Sequence, residues 1–214
     1  MRIVSVNVGL PRKVVWKGMT VQTAIFKEPV AGAVAIQALN LAGDEQADLT
    51  VHGGYDKAVY AYPAEHYEYW WTQLPDVAFS WGAFGENLTT EGLWEDTLCI
   101  GDLLRVGSAV LQVTQPRMPC YKLELRFNRD DMIKRFLMSG RSGFYFSVIE
   151  PGEVSTESKL EILERDPNRV AVSDIVRLYL GQTRDLELLQ RATNVNSLPE
   201  NWRTQLLQRA QNRV

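Results

Sequence analysis

Two cysteines, Cys99 and Cys120, and two histidines, His52 and His66, are the only thiols and imidazoles among 214 residues. Two thiols exclude a disulfide framework, a four-cysteine zinc centre and a thiolate-held iron–sulfur cluster. An all-protein zinc site would consume nearly all four of these side chains. So little cysteine fits a reducing compartment, and the expected location is the cytoplasm. No apolar run reaches the roughly 20 residues of a membrane span, and residues 1–6 read as a strand with no secretion-signal pattern. A basic excess is missing too. Lys and Arg number 23 against 26 Asp and Glu, for a formal charge of −3, which argues against nucleic acid and membrane surfaces as partners. There is no G-x-G-x-x-G fingerprint after a strand, no haem motif, no internal repeat and no low-complexity tract.

What is present is an ordinary globular composition, 45% hydrophobic and 23% charged, long enough for a real core. Short apolar runs dominate the first three-quarters. Strands are expected over residues 2–8, 13–20, 21–26, 34–42, 47–51 and 58–62, with Lys17-Gly18 as a hairpin turn. Residues 63–74 read as a helix, with Pro63 in the first turn, Tyr67, Trp70, Trp71 and Leu74 at helical spacing, and Pro75 as its end. His66 lies in that helix and is read as a structural residue. The glycine-rich residues 81–92 predict irregular backbone. Strands follow at 97–100, 103–106, 109–113, 123–127, 144–149 and 159–164. A helix over 129–139 is expected to be capped by Asn128 and ended by Gly140. Cys99, among apolar neighbours, reads as core.

Asp166-Pro167-Asn168 marks the expected boundary between a β domain, 1–165, and a helical tail, 166–214. In the tail, Ser173 can cap one helix, Leu186, Leu189 and Ala192 mark a second, and Ser197 with Glu200 forms a capping box for a third carrying Trp202 and Leu206. So small a three-helix unit needs a surface to pack on, either the β domain or a second subunit, and a homodimer is a natural expectation.

Chemistry concentrates around Val113 to Leu123. Pro116 and Pro119 restrict the backbone and withhold two N–H donors from any sheet. That delivers Cys120 to a defined place, with Arg117 and Lys122 close in sequence to favour a thiolate. The residues themselves leave two readings open, a reactive thiol or a buried structural one. His52-Gly53-Gly54 is either a plain hairpin turn or a place where backbone approaches a ligand closely.

Four motifs in order make a set: Gly43-Asp44-Glu45-Gln46; Val51-His52-Gly53-Gly54-Tyr55-Asp56-Lys57; Phe84-Gly85-Glu86-Asn87-Leu88; and Gln115-Pro116-Arg117 with Pro119-Cys120-Tyr121-Lys122. This set resembles the MOSC domain family, in its YiiM branch, and the tail is similar to the three-helix extension of that branch. The resemblance implies a mostly β, barrel-like domain that binds the molybdenum cofactor, a pterin dithiolene with a terminal phosphate. It implies Cys120 as the thiolate on molybdenum and the reduction of N-hydroxylated compounds, such as hydroxylamino-purines, amidoximes and hydroxylamines, to amines. The residue chemistry agrees with it. Gly53, Gly54, Lys57, Arg117 and Lys122 offer N–H groups and cations for a phosphate. Asn87, Thr89 and Thr90 offer polar edges for a pterin. His52 can bond the cofactor or shuttle a proton. With no redox motif of its own, the chain is expected to draw electrons from a separate flavoprotein or haem protein. The competing expectations are a non-catalytic cofactor carrier or store, and a sulfur-transfer protein bearing a persulfide on Cys120.

Overall fold

A computed structural model describes residues 1–47 and 53–211. Twelve strands and six helices follow one another in the order β1 (Arg2–Val8), β2 (Arg12–Trp16), β3 (Met19–Thr23), β4 (Glu28–Val30), β5 (Val34–Ile36), β6 (Val59–Pro63), α1 (His66–Gln73), β7 (Leu88–Glu91), β8 (Leu103–Val106), β9 (Ala109–Pro116), α2 (Tyr121–Phe127), α3 (Met132–Ser139), β10 (Phe144–Glu150), β11 (Gly152–Val154), β12 (Leu160–Glu164), α4 (Val172–Leu180), α5 (Leu186–Asn194) and α6 (Glu200–Gln211). A 3-10 turn, Tyr55–Lys57, precedes β6.

Eight strands form one sheet in the order β12-β8-β9-β10-β6-β7-β1-β4. β6 and β7 pair in parallel, and the other ladders of this sheet are antiparallel. Pro29 sits in β4, at the sheet edge, where a missing N–H does least harm. The sheet curls back on itself. Ile3 N donates to Ser158 O at 2.9 Å, and Leu160 N donates to Met1 O at 3.1 Å, so the start of β1 meets the start of β12. These bonds bring the two ends together at one corner, but among the described residues no ladder closes the expected barrel.

Strand patterning is read correctly along much of the large sheet. β1, β6, β8, β9, β10 and β12 lie within or close to their expected positions. The β2–β3 hairpin turns at Lys17-Gly18, both at positive φ, with Trp16 opposite Met19. Other expectations are corrected. Residues 123–127 are not a strand but lie in helix α2. Leu123, Leu125 and Phe127 alternate as in a strand, yet Leu, Lys, Glu and Arg are good helix formers, and the helix sends Leu123 and Phe127, one turn apart, into the same aromatic cluster. Asn128 does not begin the next helix; it ends α2 in the left-handed conformation, and α3 starts at Met132. Residues 97–100 form turns rather than a strand, tied by a bridge from Cys99 to Ala171. Residues 34–42 hold only the short strand β5.

The core has two parts. An aliphatic cluster runs from the sheet directly into the tail: Val113 and Phe146 belong to the same cluster as Ile175, Leu188, Trp202 and Leu206. The tail helices therefore pack on the sheet. A second cluster is aromatic and gathers Tyr62, Tyr67, Trp70, Phe84, Phe127 and Phe136 between α1, α2 and α3. Among the described residues no helix is long and apolar enough to cross a membrane.

Candidate functional site

β9 runs through Thr114 and Gln115 to Pro116, paired to Phe144 on β10. The chain then leaves the sheet, and Arg117 is the first residue out. Its guanidinium is buried, 6% exposed, with Cζ 5.3 Å from the Tyr60 ring centre and 5.1 Å from that of Phe136. It also bonds the Tyr145 hydroxyl. Its Nη1 is buried and has no hydrogen-bond partner among the described residues. Three residues on, Cys120 is extended and half-buried, at the position just before α2. Lys122, on the first turn of α2, is buried too.

Arg117, Cys120 and Lys122 line one cleft of about 100 Å³ together with Lys57. Lys57 arrives from the 3-10 turn that precedes β6. Burial lowers its pKa, against the opposing pull of Asp56 and Cys120. Cys120 thus lies within electrostatic reach of Lys57, Arg117 and Tyr145. Burial holds the phenols of Tyr60 and Tyr145 above their ordinary pKa, so both stay neutral donors. Cys99 is the contrast: it is buried in the core, and burial raises its pKa.

The other predicted residues fall into three groups. His52 lies outside the described residues. Gly53 and Gly54 lead into the turn that carries Lys57 and do not themselves line the cleft. Gly54 has φ +91°, and a Cβ there would meet nothing within 4 Å, so glycine is required by backbone conformation, beside open space. Asn87 lines the cleft, but its side chain is engaged. Its Oδ1 accepts from Tyr60 N at 3.1 Å, and its Nδ2 donates to Asp44 Oδ2 at 2.8 Å. Thr89 does not line the cleft. It is fully buried, and its hydroxyl accepts from Asn7 and donates to Glu86 at 3.1 Å. Thr90 is also fully buried, and its hydroxyl has no partner among the described residues.

Residues 81–87 are irregular backbone, as expected, before β7 begins at Leu88, and Glu86 ties this segment down. Glu86, with no exposed surface, accepts from Gly82 N at 2.9 Å, Phe84 N at 3.0 Å, Thr89 Oγ1 and the Tyr67 hydroxyl. Burial pushes its pKa up, against the opposing pull of the Tyr67, Gly82 and Thr89 donors. Sequence reasoning assigned no role to Lys27 and Asp44, an ion pair buried in the cleft wall. Burial lowers the pKa of Lys27, and Asp44 opposes that shift. Tyr145 and Tyr60 were missed as well. Their strand alternation offered a signal, since Tyr60 and Tyr62 on β6 point to one face. Arg141 stacks on Tyr69 at 3.9 Å, away from the cleft lining. His66 is interior, with Nε2 2.8 Å from Glu95 Oε2, as its structural reading expects.

In chemical terms, the cleft offers one soft nucleophilic sulfur, three nearby cations and an arginine donor without an acceptor. That set suits an anionic ligand with a soft centre. Among the described residues no group of three or more His, Cys, Asp or Glu could hold a metal ion by itself.

Comparison with known proteins agrees with the geometry. The MOSC domain family model matches residues 48–161, and the model for the YiiM-like 3-alpha helix domain matches residues 170–213. Protein YiiM of Escherichia coli (strain K12) is 40% identical over 182 residues, 84% of this chain and 81% of that protein. A protein of Gibberella moniliformis named Reductase is 33% identical over 181 residues, which span 83% of this chain but 32% of that longer protein. The crystal structure of YiiM from Geobacillus stearothermophilus superposes with a TM-score of 0.80 at 34% identity, covering 98% of each chain. The chain therefore belongs to the MOSC domain family, among the YiiM-like members that carry a C-terminal three-helix domain.

Proposed function

We propose that this chain is a molybdenum-cofactor-dependent oxidoreductase that removes oxygen from N-hydroxylated compounds, among them hydroxylamino-purines, amidoximes and hydroxylamines. One observation carries the reading: a half-buried thiol shares a cleft with a buried arginine that keeps a donor without an acceptor. A thiolate is the soft ligand a protein can offer to a molybdenum centre. Each buried N–H without a partner is costly, and a phosphate oxygen would satisfy it. Cys120 would ligate the metal. Arg117, Lys57 and Lys122 would hold the terminal phosphate, while Gly53 and Gly54 shape the turn that carries Lys57.

When bound, the cofactor supplies a two-electron oxygen-atom removal, R–NH–OH + 2 e⁻ + 2 H⁺ → R–NH2 + H2O. The chain's own contribution is geometry and charge. Pro116 and Pro119 restrict the segment that carries Arg117 and Cys120. Neutral Tyr145, bonded by Arg117 on the cleft wall, can donate a hydrogen bond to a bound oxygen. The name Reductase, borne by a relative, supports a reductive role. The chain has no nucleotide fingerprint and no iron–sulfur or haem motif, so a separate flavoprotein or haem protein supplies the electrons.

The test is metal and pterin quantification on protein made in cofactor-competent cells, with turnover of a hydroxylamino-purine driven by an artificial electron donor. Cys120→Ala is expected to lose turnover to background while its unfolding temperature stays unchanged. Wild-type turnover in that variant, at normal metal loading, would refute the ligand assignment.

A further inference from the structure

Gln115 lies on β9 with 2% of its surface exposed, and its amide is bonded at both ends. Oε1 accepts from the indole Nε1 of Trp202, on α6, at 2.6 Å. Nε2 donates to the main-chain carbonyl of Asp56 at 3.1 Å. An indole N–H only donates. Trp202 therefore determines which end of the amide carries oxygen, and so aims the NH2 group at Asp56. The same carbonyl accepts from Thr114 Oγ1 at 2.6 Å. Asp56 immediately precedes Lys57 in the 3-10 turn. One side chain thus links a helix of the tail to the turn that carries a cleft cation.

Packing around this link is open. A polar cavity of about 490 Å³ lies between the turn and the start of α6, lined by Tyr55, Asp56, Ser197 and Arg203. Ser147 also lines it; its hydroxyl is fully buried and has no hydrogen-bond partner among the described residues. Close apolar packing does not clamp the turn against the tail here. The hydrogen bonds from Gln115 and Thr114 hold it instead.

We infer that the three-helix tail positions the Lys57 turn through Trp202 and Gln115, which makes Trp202 a positioning residue for an anion held in the cleft. The ligand side of this inference rests on the function proposed above; the relay is a property of the chain alone. It gives the tail a task beyond packing: a donor on α6 decides how firmly the far wall of the cleft is held.

Hydrogen exchange read at residues 53–58 of the full-length protein tests it in four forms: wild type, Trp202→Phe, Gln115→Met and the double variant. Trp202→Phe keeps an aromatic ring and deletes the donor. Loss of a buried hydrogen bond should speed exchange at the turn by about tenfold in either single variant. The double variant should show no further increase, because both changes cut one path. Unchanged exchange in Trp202→Phe, or increments that add in the double variant, would overturn the relay. If Trp202→Phe does not fold, Gln115→Met decides the link from β9 to the turn, since it deletes the donor to Asp56 without adding a charge. Unchanged exchange in that variant likewise overturns the relay. A parallel titration with inorganic phosphate should show weaker binding in Trp202→Phe by several-fold. Wild-type protein that holds neither phosphate nor cofactor refutes the proposed function and leaves the exchange result to decide the relay.

Discussion

Two buried polar clusters lie side by side at the cleft, and they differ in how fully they satisfy themselves. Around Glu86 nothing is left over. Its carboxylate receives four hydrogen bonds, and neighbouring Asn87 closes against Tyr60 and Asp44. Around Arg117 the arrangement stops short. The guanidinium is held between aromatic faces, bonds Tyr145, and keeps Nη1 without an acceptor. Native interiors rarely leave such groups unpaired. The first cluster fixes the loop before β7, whereas the second keeps a donor that an anion in the cleft would satisfy.

Four changes would break or sharpen that contrast. The largest effect on the fold belongs to the closed cluster. Glu86→Ala strands several buried donors at once and should cost roughly 3–5 kcal/mol in chemical denaturation. A loss within the error of the wild-type curve would remove Glu86 from the scaffold. The open cluster should respond in the opposite way. Arg117→Met should leave stability level or raise it, since it deletes a buried charge that no carboxylate pairs. The same change should weaken retention of a phosphate-bearing ligand about 10- to 100-fold, the worth of hydrogen bonds to a charged group. A destabilised variant with undiminished retention would reverse the two roles.

A third change reads the same distinction through pH. Burial lowers the pKa of Lys57, so its charge disappears at lower pH than that of a solvated lysine. An anion favours the protonated form. Phosphate affinity should therefore fall with rising pH already below the ordinary lysine value near 10.4. Calorimetric titration of Lys57→Met, in a Cys120→Ser background that removes the thiol, should show that slope flattened; an unaltered slope excludes Lys57 from the anion site. The smallest effect belongs to Thr89→Val. Its hydroxyl is engaged with Asn7 and Glu86, so stability should drop by about 1 kcal/mol with cofactor retention unchanged. Reduced metal loading at normal stability would return Thr89 to the site.

Much of this was legible in the residues because the responsible effects are local. The turn at Lys17-Gly18, the end of α1 near Pro75 and the termination of α3 at Gly140 all follow from backbone preferences at single positions. Arg117, Cys120 and Lys122 lie within six positions of one another, so their shared cleft needed only one loop. α2 escaped because its alternating apolar residues fit two periods, and only the aromatic cluster on which it packs chose the helical one. Asn87 and Thr89 were read by the polar groups they carry, and a side-chain list cannot say which groups are already bonded.

The chain by itself determined that an all-protein zinc site would have to use nearly every cysteine and histidine present, that one of those thiols follows two prolines close to Arg117 and Lys122, and that a helical tail follows a strand-rich region. Tertiary structure decided that Lys57 crosses to meet Cys120, that Arg117 retains a donor without an acceptor, and that Trp202 reaches Gln115 across 87 positions. Composition and backbone preference act within a few residues, whereas burial and hydrogen-bond satisfaction are set by partners distant in sequence, which only the folded chain brings together.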